Sequence, residues 1–169
     1  PDVLAPEIKS AAEKRLFIEF RDHKTSKKYI VLHSLGIAEH ANNIFGEIDF
    51  VILCNEGVLC LEVKGGQVSR TNGVWEFTNR YGKISCKNEG PFQQVQGNMQ
   101  SLLQYMKRRL GNYDPLVRCQ YACAVAMPDC RFESTGVDID VVPEILVDAK
   151  QPWDLDSLVA QAFGYWRMT

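Results

Sequence analysis

Three carboxylates and one lysine stand where the surrounding pattern asks for apolar side chains. Glu13 precedes Leu16, Phe17 and Phe20 by three, four and seven positions, which puts it on the apolar stripe of a helix rather than on its solvent face. Asp49 interrupts the apolar run from Ile48 to Leu53. Glu62 and Lys64 are two apart in the run Val58 to Lys64 and so share one face of a strand. An ionised group in such surroundings is costly unless it is paired or bound to a metal. The available donors are hard oxygens, which favour Mg²⁺ or Mn²⁺ over zinc. A lysine beside a metal-held water can orient it or help to deprotonate it, and can balance charge on a pentacovalent phosphate.

Whether Asp49 and Glu62 meet depends on one turn. The runs Glu47 to Leu53 and Val58 to Lys64 flank Cys54-Asn55-Glu56-Gly57, a turn signal with a glycine available for positive φ. An even number of turn residues sets Asp49 opposite Glu62, with Cβ atoms about 4.5 to 5.5 Å apart. An odd number opposes Asp49 to Val63 and sends the two carboxylates to different faces. Without a cation, two such carboxylates repel by roughly 4 kcal/mol at 4 Å and an effective dielectric constant of 20.

The positioning elements follow from periodicity. Ile8, Ala12, Leu16, Phe17 and Phe20 predict a helix over Pro6 to Asp22, and Lys28 to His33 a short strand followed by a polar loop from Leu35 to Gly46. After the central hairpin, Gly65-Gly66 breaks the chain, and Val68 to Cys86 reads as a second, more polar hairpin turning at Asn79 to Gly82. Phe92, Val95, Met99, Leu102, Leu103, Met106 and Leu110 mark a long amphipathic helix ending at Gly111. Arg118 to Ala126 reads as a buried strand, Glu144 to Val147 as a short one, and Asp154 to Trp166 as a helix capped by Asp154. This order predicts one α/β domain with a mixed sheet over residues 1–169.

Composition excludes several classes. The formal charge of −2 argues against binding that relies on a strongly basic whole-domain field. No stretch of eighteen apolar residues occurs, and Pro1 to Ser10 lacks a signal-peptide pattern, so a cytoplasmic location is the expectation. The six cysteines form no CxxC pair, which favours reduced structural thiols over a zinc site. Lys24, Lys27 and Lys28 are candidates for phosphate-backbone contacts, as are Lys107 to Arg109, whose place at a helix C-terminus the helix dipole also explains. His40 lies in the loop before the second strand, while His23 and His33 are unassigned. Trp75, Phe77 and Tyr81 suit either stacking on bases or packing of the second hairpin.

Four pieces of the chain, Ala12-Glu13-Lys14, Gly46-Glu47-Ile48-Asp49-Phe50-Val51, Leu61-Glu62-Val63-Lys64-Gly65 and Pro91-Phe92-Gln93-Gln94, together resemble the nuclease-related domain (NERD), a branch of the PD-(D/E)XK nuclease superfamily. The resemblance spans about Glu7 to Ala126. Ile48 replaces the Pro of the superfamily's name, while the carboxylate that supplies the chemistry is kept. The resemblance implies a restriction-endonuclease-like αβββαβ core with a mixed central sheet flanked by helices, here with an inserted hairpin and a C-terminal extension over 127–169 ending in a helix. It also implies metal-dependent hydrolysis of DNA phosphodiesters, by endonuclease or exonuclease cleavage, with RNA a second candidate substrate. Asp49 and Glu62 would hold Mg²⁺ or Mn²⁺ with the Val63 carbonyl, Lys64 would act on water, and Glu13 would join through a water or a second ion. Gln94 would orient the lysine, the water or the scissile phosphate, with Gln93 the alternative if the helix phase differs. Such domains resemble N-terminal modules of larger proteins, and Pro143 to Trp166 is similar to a tail leading into a helicase part. A different class of reading is a catalytically silent nuclease-like module that binds nucleic acid or a partner protein.

Overall fold

Helix α1 (Ala11–Asp22) starts where the Ser10 hydroxyl accepts the Glu13 amide at 3.3 Å, and it buries Ala12, Leu16, Phe17 and Phe20. The computed structural model describes residues 10–38, 45–135 and 140–169. The helix expected over Pro6 to Asp22 does not run through Ser10, whose backbone is extended and whose hydroxyl caps the first turn; residues 6–9 and the loop histidine His40 lie outside the described residues. Strands β1 (Ile30–Ala38), β2 (Phe45–Cys54) and β3 (Gly57–Val63) form an antiparallel meander. β1 runs five residues beyond the expected strand, because it pairs with β2 as far as Ala38↔Phe45. Much of the expected loop is therefore ladder.

The insertion is larger than one hairpin. Strands β4 (Gln67–Thr71), β5 (Val74–Thr78) and β6 (Ile84–Lys87) make two successive hairpins. The additional turn is Asn72-Gly73, both with positive φ (51° and 85°), as a two-residue primed turn requires. Trp75, fully buried, anchors this layer to the rest of the molecule. Its ring stacks on Phe132 at 5.5 Å and lies 5.9 Å from Phe92. A Cβ at Gly90 would stand 2.3 Å from that indole, so glycine is needed where the chain enters the next helix.

That helix, α2 (Pro91–Leu110), has Pro91 in its first turn and ends at Gly111 with φ 85°. A one-turn helix α3 (Pro115–Arg118) follows, so β7 (Gln120–Met127) begins two residues later than periodicity suggested. The Asp114 side chain caps that turn and Pro115 opens it, a local signal that outweighs the apolar run. β8 (Glu133–Thr135) joins β4, and β9 (Leu146–Asp148) joins β7, both in parallel. A 3₁₀ turn at Pro143–Ile145 displaces β9 from the expected Glu144 start. Finally α4 (Leu155–Trp166) carries a capping box between Asp154 and Ser157 and buries Leu155, Leu158, Val159, Ala162 and Phe163.

The main sheet has the order β1-β2-β3-β7-β9 and mixes antiparallel with parallel pairs, flanked by helices, as a restriction-endonuclease-like fold requires. A second sheet, β6-β5-β4-β8, carries the insertion. Residues beyond 126 are built into this body, since β8 and β9 extend the sheets and the Trp166 indole donates to the Cys123 carbonyl at 2.9 Å. All six cysteines are free thiols.

Candidate active site at the fork between two strands

The central hairpin turns on two residues, Asn55 and Glu56, with Gly57 at φ 144°. Its ladder runs from Cys54↔Gly57 to Phe50↔Leu61, the register that continues to Asp49 opposite Glu62. Beyond Phe50↔Leu61 the strands part: β2 stays with β1 through Phe45, whereas β3 stays with β7 through Val63↔Ala126 and a Lys64 amide bond to the Ala126 carbonyl at 2.9 Å. Asp49 and Glu62 are the first residues inside the fork. There the Asp49 carboxylate accepts the Val63 amide at 2.7 Å, replacing the ladder bond that the parting removes.

Glu62 is 2% exposed, and its Oε1 accepts from Lys64 Nζ at 2.5 Å. The Gln94 side-chain carbonyl accepts from the same Nζ at 3.0 Å. Gln93 faces solvent, so the helix phase selects Gln94. The other Glu62 oxygen, Oε2, is buried and has no hydrogen-bond partner. Burial, reinforced by the neighbouring Asp49, pushes the Glu62 carboxyl far above the usual carboxylate range. Burial likewise raises Asp49, with Glu13 and Glu47 adding to the rise while the Val63 amide and Lys64 oppose it.

Glu13 comes in from the first turn of α1, half-buried, with its own carboxyl raised chiefly by desolvation and secondarily by Glu47 and Glu62. Two residues that sequence reasoning did not single out belong to the same cluster. Glu47 stands two positions before Asp49, bonded to the Ser34 hydroxyl, and its carbonyl accepts from Asn98 Nδ2 at 2.9 Å. That i, i+2 spacing was available as a signal. His33 is buried between Phe17 and Phe50, with its Nε2 3.7 Å from a Glu13 oxygen, and burial keeps its imidazole below the ordinary range. Its histidine type gave no such signal, because only the β1–β2 register brings it here.

The basic clusters lie elsewhere. Lys24, Lys27 and Lys28 precede Ile30, which pairs with Leu53, about 13 Å along β2 from Asp49. Lys27 there faces Asp156 at 3.6 Å. Lys107 to Arg109 end α2, about 20 Å along the helix from Gln94. The structure does not bring either group to the fork.

Among the described residues no group of three or more His, Cys, Asp or Glu is placed to hold a metal ion. The fork instead offers two carboxylates, one with an unbonded buried oxygen. This fits a hard ion that keeps several of its own waters, as Mg²⁺ does, better than a fully protein-ligated one.

The family model of the nuclease-related domain matches residues 8–126, a span that contains α1 and all but the last residue of β7. The chain belongs to the nuclease-related domain family. No curated protein and no solved structure matches it. The NERD match covers Glu13, Asp49, Glu62, Lys64 and Gln94, and stops short of β8, β9 and α4. No helix among the described residues is long and apolar enough to cross a membrane.

Proposed function

We propose that this NERD chain is a divalent-metal-dependent nuclease domain that hydrolyses DNA phosphodiesters at the β2–β3 fork. The observation that carries the reading is the buried Glu62 oxygen without a partner, beside a half-buried Asp49 of the same charge. Glu13, Asp49 and Glu62 all feel the charge of the single Lys64, and Glu47 adds to the field at Glu13 and Asp49, an excess of negative charge that a divalent cation offsets. Asp49 and Glu62, with the Val63 carbonyl, are the residues to hold Mg²⁺ or Mn²⁺. Such an ion supplies Lewis acidity and a water of lowered pKa.

The chain's own groups divide the remaining work. Gln94 and Glu62 together fix the Lys64 Nζ at the mouth of the fork, where its charge faces an incoming phosphate and its protons can orient a water. Asn98 holds the start of β2 through the Glu47 carbonyl, and so fixes the strand that presents Asp49. Glu13 adds a carboxylate for a second ion or a bridging water. A helicase context belongs to the same proposal and is supported by the likeness of Pro143 to Trp166 to a helicase-leading tail.

The test incubates the chain with linear, circular and single-stranded DNA in Mg²⁺, in Mn²⁺ and in EDTA, beside Asp49→Ala and Lys64→Ala. Metal-dependent cleavage by the wild type alone supports the proposal. If every protein leaves every substrate intact under all three conditions, the silent binding module replaces it.

A further inference from the structure

A cleft of about 860 Å³ opens beside the fork, between the first turn of α1 and the tip of the β5–β6 hairpin. Its floor is Gly65-Gly66, the two residues that follow Lys64. The floor is glycine for a steric reason. A Cβ at Gly65 would stand 3.0 Å from the Ala12 methyl, and one at Gly66, which has φ 78°, would stand 2.3 Å from the Thr78 carbonyl. These close approaches fix α1 on one side and the hairpin on the other at set distances from the end of β3.

The walls carry two cations and an aromatic ring. Lys14 stands on the α1 side, Arg80 and Tyr81 on the hairpin side. Tyr81 is 78% exposed, unlike Trp75, which is wholly buried, and Phe77, which is half-buried. Its ring is held in place: the Arg80 guanidinium lies 4.8 Å from the ring centre and donates to the Tyr81 hydroxyl at 2.7 Å. The turn itself is braced by the Asn79 side chain, which accepts the Tyr81 and Lys83 amides at 2.9 and 3.0 Å. An exposed aromatic ring with an arginine beside it is the stacking platform that single strands use. Asp129, the one carboxylate among the described residues that line the cleft, is already held by Arg15 at 3.0 Å and by the Gly66 amide at 2.9 Å. The cleft's size is that of pockets for single small ligands, which suits a few nucleotides of one strand.

We propose that this cleft receives an unpaired nucleic-acid strand next to the fork, a base stacking on Tyr81 and its phosphates lying between Lys14 and Arg80. This deepens the nuclease reading and rests on it for the strand's destination. On this account the substrate is a single strand or the frayed end of a duplex.

The test measures binding in EDTA, where turnover does not interfere, to fluorescent oligo(dT), oligo(rU) and a blunt hairpin duplex. Tyr81→Ala weakens binding to the single strands about five- to hundredfold, Tyr81→Phe restores it, and the duplex is unaffected. Arg80→Ala lowers the salt slope for the single strands by about 0.7. Oligo(dT) and oligo(rU) distinguish DNA from RNA as the source of the strand. Binding by Tyr81→Ala equal to wild type, or equal losses on strand and duplex, overturns the inference. Asp49→Asn is measured in parallel. If no DNA is cut yet Tyr81→Ala still loses strand binding, the cleft stands and the nuclease reading falls. If metal-dependent cleavage is intact and Tyr81→Ala binds as the wild type does, the nuclease reading stands and the cleft falls.

Discussion

Removing one negative charge from the fork should make the metal-free protein more stable. Asp49→Asn keeps an oxygen to accept the Val63 amide, so the 2.7 Å bond survives while the charge does not. Burial and neighbouring carboxylates raise the Asp49 carboxyl from 3.8 to about 7. At about 1.4 kcal/mol per pK unit, the ionised form costs the fold up to about 4 kcal/mol. Asp49 is only half-buried, and solvent screening brings a realistic figure to about 2 kcal/mol. For a chain of this length that is a rise in Tm of roughly 4 to 8 °C. The sign follows from the raised pKa. Below pH 3.8 the carboxyl is protonated in both states and costs nothing, and the cost grows as pH rises from about 4 to about 7. The advantage of the variant is therefore full at pH 8 and vanishes near pH 4. Mg²⁺ should narrow it at pH 8 by stabilising the wild type alone, through mass action on the native state. Thermal unfolding at pH 4, 6 and 8, in EDTA and in Mg²⁺, measures all of this. A variant that melts at or below the wild type at pH 8 in EDTA, or a gap that ignores pH, refutes the reasoning.

Lys64→Met leaves Glu62 and Asp49 without their cation and should cost about 3 kcal/mol in urea unfolding at pH 8 in EDTA, less at pH 5 where the carboxyls bind protons. An unchanged midpoint at pH 8 would mean that the lysine does not balance the fork. Gln94→Ala frees the Lys64 Nζ on one side and should lower kcat about tenfold with DNA affinity intact, whereas Gln93→Ala, on the solvent side, leaves both alone. Equal effects of the two substitutions in steady-state cleavage would contradict the assigned helix phase. Gly66→Ala meets the Thr78 carbonyl at 2.3 Å and positive φ together, and should lose about 2 kcal/mol or more. Gly73→Ala, with φ 85° but open space, should lose only about 1 kcal/mol, and chemical denaturation of the pair separates clash from backbone strain.

The fork shows what a sequence discloses and what it withholds. Asp49, Glu62 and Lys64 were legible because a charge in an apolar strand is an anomaly at the single-residue level, and because the two-residue turn sets their register from nearby positions alone. Glu13 was legible from helical phase, whereas Gln94 came from the family resemblance, with phase deciding only between it and Gln93. His33 was not, since its neighbourhood is made by β1 pairing past the expected end of that strand, and Ser34, with φ 57°, bends the backbone in a way that no propensity announces. The second sheet was half-read for a related reason: Asn72-Gly73 signals a turn as clearly as any pair in the chain, but the partners β4 and β8 are about sixty residues apart. The meeting of Asp49, Glu62 and Lys64 was legible where local patterning sufficed; their surroundings were missed where long-range pairing decided.

The parting of β2 from β3 also accounts for the placement of charge at this point in the two strands. Within the ladder every backbone amide has a partner, and a carboxylate there finds no donor. One step beyond Phe50↔Leu61 the Val63 amide is released, and Asp49 takes it. The same step lets Glu62 point one oxygen at Lys64 while the other stays buried and unbonded. A site with an anion's unused lone pair, a fixed lysine and a cleft at its side is what the fold gains by ending a ladder early. Re-pairing the strands there, with Asp49→Val, Glu62→Val and Lys64→Met together so that no charge is left unpaired, would complete a hydrophobic hairpin in place of the fork, and should yield a more stable protein that cuts nothing in Mg²⁺ or Mn²⁺.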